Sequence, residues 1–147
     1  MPSTHTSLNF HIVFSTKERL PLITADWKDR LHGYMGGIVK GMEGVPLAIG
    51  GIEDHVHLLV SLKTTFRFDY FMRDLKADSS EWVHKEMLKK FEWQKGYGAF
   101  TVSSGAVKSV KKYILDQVEH HKGKTFQEEY VEMLKRSEIE YDERYLW

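Results

Sequence analysis

Two histidines lie one residue apart in an apolar stretch of the chain, GGIEDHVHLLVSL, which spans residues 50–62. Alternate side chains of a β-strand point to the same face, so His55 and His57 would project side by side. Two neighbouring imidazoles can chelate a divalent ion through their ring nitrogens. A structural role for two half-buried histidines explains the pattern equally well, and a metal site would need a further ligand from elsewhere in the chain.

A second pair of residues with chemical potential occurs in the late segment SVKKYILDQVEHH. Tyr113 and Gln117 are four residues apart and would share one face of a helix. Taken singly, such a tyrosine most often packs at the edge of an apolar stripe, and such a glutamine is an ordinary helix residue. Beside the histidine pair, however, Gln117 could supply a third ligand and Tyr113 a hydroxyl that attacks a metal-polarised phosphodiester.

The hydrophobic patterning predicts how these residues are positioned. Strands are predicted in SLNFHIVFST, VPLAIGGI, HVHLLVSL and GYGAFTVS. Helices are predicted at 24–44, at 64–87 with a break near Asp78–Ser80, at 104–122, and in the segment after Thr125, where Thr125 and Glu128 match a capping box. The order is that of an α+β, ferredoxin-like split βαβ fold with a central antiparallel sheet and an additional C-terminal helix that carries the tyrosine. Its first and third strands are central, so the histidine pair would lie in mid-sheet.

The composition indicates one globular domain over residues 1–147. We divide it into a sheet-and-helix core (1–103), a tyrosine helix (104–122) and an acidic tail (125–147). The net charge is zero, but residues 76–124 carry ten lysines against six acidic residues, whereas 125–147 carry three basic against seven acidic residues. A basic middle suits a polyanion site, although an unevenly charged solvated surface explains it as well.

Other classes of protein are disfavoured by what the sequence lacks. There is no cysteine, which excludes disulfides and thiolate metal sites. No apolar run approaches the roughly 20 residues of a membrane span, and the first residues do not resemble a signal peptide. We therefore expect a cytoplasmic protein without a membrane partner.

The quoted motifs resemble those of a known family. DHVHLLV resembles the His-hydrophobic-His motif of the HUH endonuclease superfamily, and KKYILDQ resembles the Tyr-x-x-x-Gln helix of its single-tyrosine transposases, those of small insertion sequences and of repetitive extragenic palindromes. The resemblance extends through FHIVFSTKERLPLI, LKADSSEWVHKE and the closing FQEEYVEMLKRSEIEYDERYLW, and so covers nearly the whole chain.

The resemblance implies a DNA transposase that cleaves and rejoins single-stranded DNA near hairpins through a 5′-phosphotyrosine intermediate. It implies Tyr113 as the nucleophile, His55, His57 and Gln117 as metal ligands, and Mg²⁺ or Mn²⁺ as the ion. It also implies a homodimer in which the tyrosine helices are exchanged, with residues 103–105 as a hinge. Two alternatives stay open: a domesticated relative that binds or processes hairpin DNA without transposition, and a metal-dependent phosphoesterase that uses water.

Further residues are assigned by charge or position. Basic residues that could contact DNA phosphates are Lys17, Arg19, Lys76, Lys108 and Lys112. Each is equally well explained as a solvated surface residue. His11 is expected near the site or half-buried, whereas His120 and His121 are interpreted as exposed residues at a helix end.

Overall fold

The computed structural model describes residues 3–147, which form a four-stranded antiparallel sheet with helices on both faces. The strands are β1 (Asn9–Ser15), β2 (Val45–Ile52), β3 (His55–Ser61) and β4 (Gly98–Val102). The helices are α1 (Ala25–Gly41), α2 (Phe68–Glu86), α3 (Val107–Leu115), α4 (Gln117–His120) and α5 (Phe126–Arg136). Short 3₁₀ turns cover Lys17–Arg19, Ser104–Ala106 and Glu143–Tyr145.

The strand order across the sheet is β2-β3-β1-β4. Every neighbouring pair is antiparallel, and β2 and β3 form a hairpin whose turn is Glu53–Asp54. This order confirms the α+β, ferredoxin-like prediction, including the central position of β1 and β3. The histidine pair therefore lies on an inner strand, where hydrogen bonds to both neighbouring strands hold the backbone in place.

One face of the sheet carries the main hydrophobic core. The alternating apolar residues of β1 and β3 point to this face, where α1 and α2 cover them. The fully buried members of the core include Ile12, Phe14, Val56, Leu58, Val60, Leu31, Met35, Phe71 and Leu75. Each such side chain contributes about 1.5–3 kcal/mol when removed from water, so burial on this face supplies most of the hydrophobic stabilisation of the sheet.

The opposite face of the sheet carries the polar residues of the same strands. His11 and Val13 on β1 share it with His55, His57 and Leu59 on β3, and β-sheet pairing sets Val13 directly opposite His57. Two smaller apolar clusters border this face, one formed with α3 and the other with α5. The histidines therefore lie on a face of the sheet that is covered by two helices from the last third of the chain.

The predicted break of the second helix near Asp78–Ser80 is wrong, because α2 runs without interruption through these residues. The Ser79 hydroxyl donates a hydrogen bond to the Leu75 carbonyl at 2.7 Å, one turn earlier. It also accepts a bond of 3.0 Å from the Trp93 indole N–H. A serine that would favour a cap or turn in isolation is thus held within the helix by a buried tertiary partner.

Within residues 3–147, no helix combines the length and the hydrophobicity that crossing a bilayer requires.

Candidate metal centre and tyrosine site

The histidine pair is fully buried on β3, and each ring is held in place through its Nδ1 atom. His55 Nδ1 lies 2.7 Å from Asp54 Oδ1, and His57 Nδ1 lies 2.7 Å from His11 Nε2. The Nε2 atoms of both rings therefore point into the space beneath the covering helices. His11, whose location the sequence left open, lies in this site as the partner of His57.

Helix α3 brings Tyr113 to the pair, and Gln117 follows after a turn. A side chain at Gly50 would collide with the backbone carbonyl of Ile114, so the glycine permits α3 to approach β2 closely. Gln117 Oε1 lies 3.0 Å from His55 Nε2. The structure therefore brings together Tyr113, Gln117 and the two histidines, as the motif spacing predicts.

The predicted continuous tyrosine helix over 104–122 is wrong in its extent. A 3₁₀ turn occupies Ser104–Ala106, α3 ends at Leu115, and α4 begins at Gln117. Asp116 between them has φ −95° and ψ 21°, which are not α-helical values. Gln117 is nevertheless buried, and its side-chain amide donates to the Tyr113 carbonyl at 3.2 Å.

Helix α5 contributes a buried glutamate that the sequence analysis missed. Thr125 caps this helix by accepting a hydrogen bond from the Glu128 backbone N–H, as predicted, whereas the Glu128 carboxylate accepts from the Thr125 hydroxyl and not from its backbone N–H. Glu129 on the next position is only 2 % exposed. Its Oε1 atom lies 3.0 Å from His57 Nε2, and its Oε2 atom accepts a hydrogen bond from the Tyr113 hydroxyl.

Two contacts fix α5 against the sheet. The Phe126 ring stacks on the His55 ring with 4.4 Å between centroids. Gly98 on β4 leaves room for the Tyr130 ring, which would lie 2.6 Å from a Cβ at that position. The first half of the acidic tail is therefore packed against the sheet, where α5 forms one wall of the site.

The interpretation of His120 and His121 as exposed helix-end residues is wrong. The His121 side chain is 4 % exposed, and its Nε2 atom lies 2.9 Å from Gln117 Oε1 and 3.3 Å from Glu129 Oε1. His120 is partly exposed, with Nε2 3.2 Å from Glu129 Oε2. Both imidazoles therefore contact the buried Glu129 of α5.

Burial and hydrogen bonding shift the pKa values of these groups in opposite directions. Desolvation lowers the pKa of His57 to about 4 and, with the nearby His57 charge, lowers the pKa of His11 to about 3, so both rings are neutral at pH 7. Burial raises the pKa of Glu129, but its close contacts with the His121, His57 and Tyr113 side chains outweigh burial and hold the carboxyl ionised. Burial, followed by the hydrogen bond and charge of Glu129, raises the pKa of Tyr113. The tyrosine is therefore a neutral phenol that donates to a carboxylate.

The donor atoms at the centre of the site could hold a metal ion. One nitrogen each from His55, His57 and His121 and one oxygen from Glu129 lie within 4.8 Å of one another. Gln117 adds an amide oxygen to these four groups. Imidazole and carboxylate donors are ordinary ligands of divalent ions, so the residues present fit such an ion.

An open cavity of about 300 Å³ lies between α3 and α5 and reaches the Tyr113 side chain. Its lining includes Ser109, His120, Lys124 and Arg136. A cavity of this volume is at the lower end of the range of small-ligand pockets. The Tyr113 hydroxyl is thus hydrogen-bonded to Glu129, while the Tyr113 side chain also borders this open cavity.

The predicted DNA-contacting lysines of α3 are exposed on its outer side. Lys108 is solvent-exposed, and Lys112 lines a shallow depression together with Tyr113 and His120. Neither lysine lies inside the metal cluster. A role in DNA binding stays a prediction for both.

The other three predicted DNA-contacting residues lie away from the tyrosine and already have partners. Lys17 forms an exposed ion pair with Glu92 at 2.9 Å, and the Arg19 guanidinium lies 5.0 Å from the Trp147 ring centre. The Lys76 ammonium donates to the backbone carbonyls of residues 94, 95 and 96, and burial lowers its pKa to about 8. These hydrogen bonds hold the loop at residues 94–96 against α2.

Comparisons with solved structures agree with this fold. A candidate transposase from Deinococcus radiodurans R1 is 22 % identical, with a TM-score of 0.66, and the match covers 78 % of this chain and 93 % of that one. A REP-associated tyrosine transposase bound to a REP hairpin is 14 % identical, with a TM-score of 0.56 and coverages of 78 % and 70 %. At these identities the two structures show a shared fold.

The sequence comparisons are more specific. A search of curated proteins gave no match. The family model described as "Transposase IS200 like" matches residues 4–117, a range that contains the histidine pair, Tyr113 and Gln117 but ends before His121 and Glu129. The chain therefore belongs to the IS200-like transposase family.

Proposed function

We propose that this protein cleaves and rejoins single-stranded DNA near hairpins through a 5′-phosphotyrosine intermediate, with Tyr113 as the nucleophile. Its family membership supports a DNA-cleaving transposase. The observation that carries the proposal is the Tyr113 hydroxyl, which contacts a buried carboxylate beside the histidine pair and also borders an open cavity. A nucleophile that is both oriented and accessible meets the first requirement of covalent catalysis.

In the proposed cleavage step, a bond forms between the Tyr113 phenolic oxygen and phosphorus. The bond from phosphorus to the 3′ oxygen of the preceding nucleotide breaks, and that oxygen takes up a proton from water to become a free 3′-hydroxyl. The Tyr113 proton passes to Glu129 Oε2, which already accepts the hydrogen bond of the phenol. Attack by a 3′-hydroxyl on the phosphotyrosine reverses these changes and rejoins DNA without a nucleotide cofactor.

The proposal includes a divalent ion, Mg²⁺ or Mn²⁺, held by His55, His57 and Gln117. When bound, such an ion polarises the phosphoryl group as a Lewis acid. The chain itself orients the donors: Asp54 and His11 hold the two imidazoles, and the Tyr113 carbonyl holds the Gln117 amide. The phenol lies near the end of α3 and the amide at the start of α4, and the hydrogen bond from Gln117 to the Tyr113 carbonyl positions the nucleophile and the ligand together.

The decisive experiment tests for the covalent intermediate. Wild-type protein is incubated with Mn²⁺ and single-stranded oligonucleotides from the DNA that flanks its gene, and a denaturing gel is examined for a protein–DNA species. We expect the protein–DNA species to form with the wild type and with Tyr34→Phe, which alters an exposed tyrosine on α1. It should be absent with Tyr113→Phe. Binding of hairpin DNA should survive in Tyr113→Phe.

The same experiment distinguishes the alternatives. A water-using phosphoesterase would still cleave the oligonucleotides after Tyr113→Phe, and that result would refute the proposal. A domesticated relative without transposition would bind hairpin oligonucleotides but give no joined product. The REP-hairpin complex of the relative supports a hairpin as the DNA partner.

A homodimer with exchanged tyrosine helices, and a cytoplasmic location, remain part of the proposal. Within this chain Tyr113 reaches its own histidine pair, so exchange is tested best by mixing two inactive variants. If helices exchange, Tyr113→Phe mixed with His57→Ala regains the covalent species, because one composite site is intact. A mixture that stays inactive while wild-type protein reacts would refute exchange.

A further inference from the structure

Three imidazoles in this site face the same carboxylate oxygen. The Nε2 atoms of His55, His57 and His121 lie 3.6, 3.0 and 3.3 Å from Glu129 Oε1. Donors bound to one ion with bonds of about 2.0–2.1 Å are necessarily neighbours at distances of this order. The arrangement is therefore compact enough for all four groups to bind a single ion.

The hydrogen bonds on the far side of the rings fix which nitrogen carries the proton. His121 Nδ1 lies 2.6 Å from the Lys124 carbonyl oxygen, which can only accept, so this nitrogen must donate. His55 Nδ1 faces the Asp54 carboxylate and donates in the same way. When such a ring carries a single proton, as a metal-bound imidazole does, its Nε2 lone pair therefore points into the site. Metal-binding histidines have this orientation, with the second nitrogen donating to a carboxylate or carbonyl.

With one proton on each ring, acceptor atoms face one another at the centre of the site. The Nε2 atoms of His55 and His121 lie 3.0 and 2.9 Å from Gln117 Oε1 as well as near the Glu129 carboxylate. Buried acceptors without a donor between them are costly. A cation at their centre satisfies all of them at once.

We propose that His121 and Glu129 are ligands of the same ion as the histidine pair, and that this ion is a transition-metal dication of the Mn²⁺ type rather than Mg²⁺. Both residues lie beyond residues 4–117, to which the family match extends. Three imidazoles with one carboxylate favour transition metals, whereas Mg²⁺ prefers oxygen ligands and retains water. The inference rests on the proposed function only in that the ion serves the Tyr113 reaction.

A consequence is that metal binding holds α5 in place. Glu129 connects this helix to β3 and, through the Tyr113 hydroxyl, to α3. An ion bound to Glu129 and to the strand histidines links the C-terminal segment directly to the sheet. The segment should therefore open less often when the ion is present.

The first test measures metal binding without DNA. Calorimetric titration of the metal-free full chain with Mn²⁺ is compared for wild type, Glu129→Gln and His121→Asn. We expect each variant to lose at least about 10–100-fold in affinity, the range that loss of an outer-shell partner alone produces. The matched controls are Glu128→Gln, an exposed neighbour where glutamine keeps an oxygen acceptor for the Thr125 hydroxyl, and His5→Asn, an exposed histidine; both should bind as the wild type does.

The second test measures opening of α5 by trypsin cleavage after Lys135 and Arg136, at the exposed end of the helix. At a Mn²⁺ concentration 100 times the dissociation constant, cleavage of the wild type should slow by up to about 100-fold. Mg²⁺ at the same concentration should protect much less, and Mn²⁺ should not protect Glu129→Gln. If Glu129→Gln fails to fold, Glu129→Asp retains the charge at a shorter reach and should still show weakened Mn²⁺ binding.

The outcomes separate this inference from the proposed function. Mn²⁺ affinity within twofold of wild type in Glu129→Gln or Glu129→Asp overturns the inference, as does equal binding of Mg²⁺ and Mn²⁺. If the wild type then still forms the Tyr113-dependent species, the proposed function stands alone. Conversely, Glu129-dependent Mn²⁺ binding without a covalent DNA species supports the metal site and refutes the tyrosine chemistry.

Discussion

Replacing Gly50 by alanine tests how closely the tyrosine helix must approach the sheet. A Cβ at Gly50 would lie 2.1 Å from the Ile114 carbonyl oxygen, whereas ordinary contact begins at 3.4 Å, so the backbones must separate by about 1.3 Å. The obstacle is the backbone of α3 itself, and rotation of a side chain cannot relieve it. A displacement of about 1 Å can cost about 10²-fold in rate, and overpacking costs about 1–3 kcal/mol.

We therefore expect Gly50→Ala to slow formation of the covalent DNA species about 10²-fold and to lower the free energy of unfolding by about 1–3 kcal/mol. Single-turnover assays on denaturing gels and urea unfolding measure the two effects. Gly37→Ala is the matched control, because no atom lies within 4 Å of its added Cβ; in a helix this change stabilises by about 0.5–1 kcal/mol. A Gly50→Ala protein with wild-type stability and a rate within twofold of wild type would refute the argument that contact with β2 positions Tyr113.

Three further predictions concern other parts of the molecule. Burial and then the Lys28 charge lower the pKa of His32 from 6.5 to about 4. Below pH 6.5 the unfolded chain therefore binds a proton at this histidine that the folded chain does not bind. The free energy of unfolding consequently falls as the pH drops from 6.5 toward 4. At about 1.4 kcal/mol per pH unit, the loss of unfolding free energy approaches about 3 kcal/mol. In urea unfolding, the free energy of unfolding of His32→Leu should depend less steeply on pH than that of the wild type. An equally steep pH dependence would contradict this prediction. Thr125→Ala should destabilise α5 by about 1 kcal/mol and speed its amide exchange, whereas unchanged exchange would mean that the cap contributes nothing. Lys112→Ala should reduce the slope of log affinity against log salt for single-stranded DNA by about 0.7, measured by fluorescence anisotropy, and an unchanged slope would assign Lys112 to the solvated surface.

The parts of the site that the sequence predicts are those set by short-range periodicity. The two-residue repeat of a strand places His55 and His57 on one face regardless of the rest of the fold. The four-residue spacing of Tyr113 and Gln117 keeps them close even though the helix is interrupted between them. The strand order follows from the sequence of elements, which leaves few ways to connect two βαβ units.

Glu129 could not be found in this way, because nothing local distinguishes it. It is one of seven acidic residues in 125–147, and its contact with His57 spans 72 residues. Its position depends on the turn at Asp116 and on the close approach of Tyr130 to Gly98, both of which are tertiary features. A signal was nevertheless present: a capped helix with Phe126 and Tyr130 on one face implies that its first turns are buried.

The break that was wrongly predicted in α2 also reflects a tertiary contact that the local sequence does not reveal. Asp78, Ser79 and Ser80 together favour a helix boundary by local propensity. The Trp93 indole, fourteen residues later, supplies a buried donor to the Ser79 hydroxyl and removes the penalty of keeping that serine inside the helix. Tertiary hydrogen bonds of this kind cannot be deduced from the residues of the helix alone.

The contacts of Glu129 also define what an exchange of tyrosine helices would have to move. Tyr113 donates to Glu129, and Gln117 contacts His121, so α3, α4 and α5 are connected to one another as well as to the sheet. If only residues 104–122 crossed to a partner subunit, Tyr113 would leave its own Glu129, and the partner subunit's Tyr113 would have to replace it as donor, because a buried carboxylate that loses a donor costs about 1–3 kcal/mol. Moving α3 to α5 together, as far as Arg136 at the end of α5, would keep that bond within one chain but would separate Glu129 from its own His57, so either form of exchange must be reciprocal to leave each site complete.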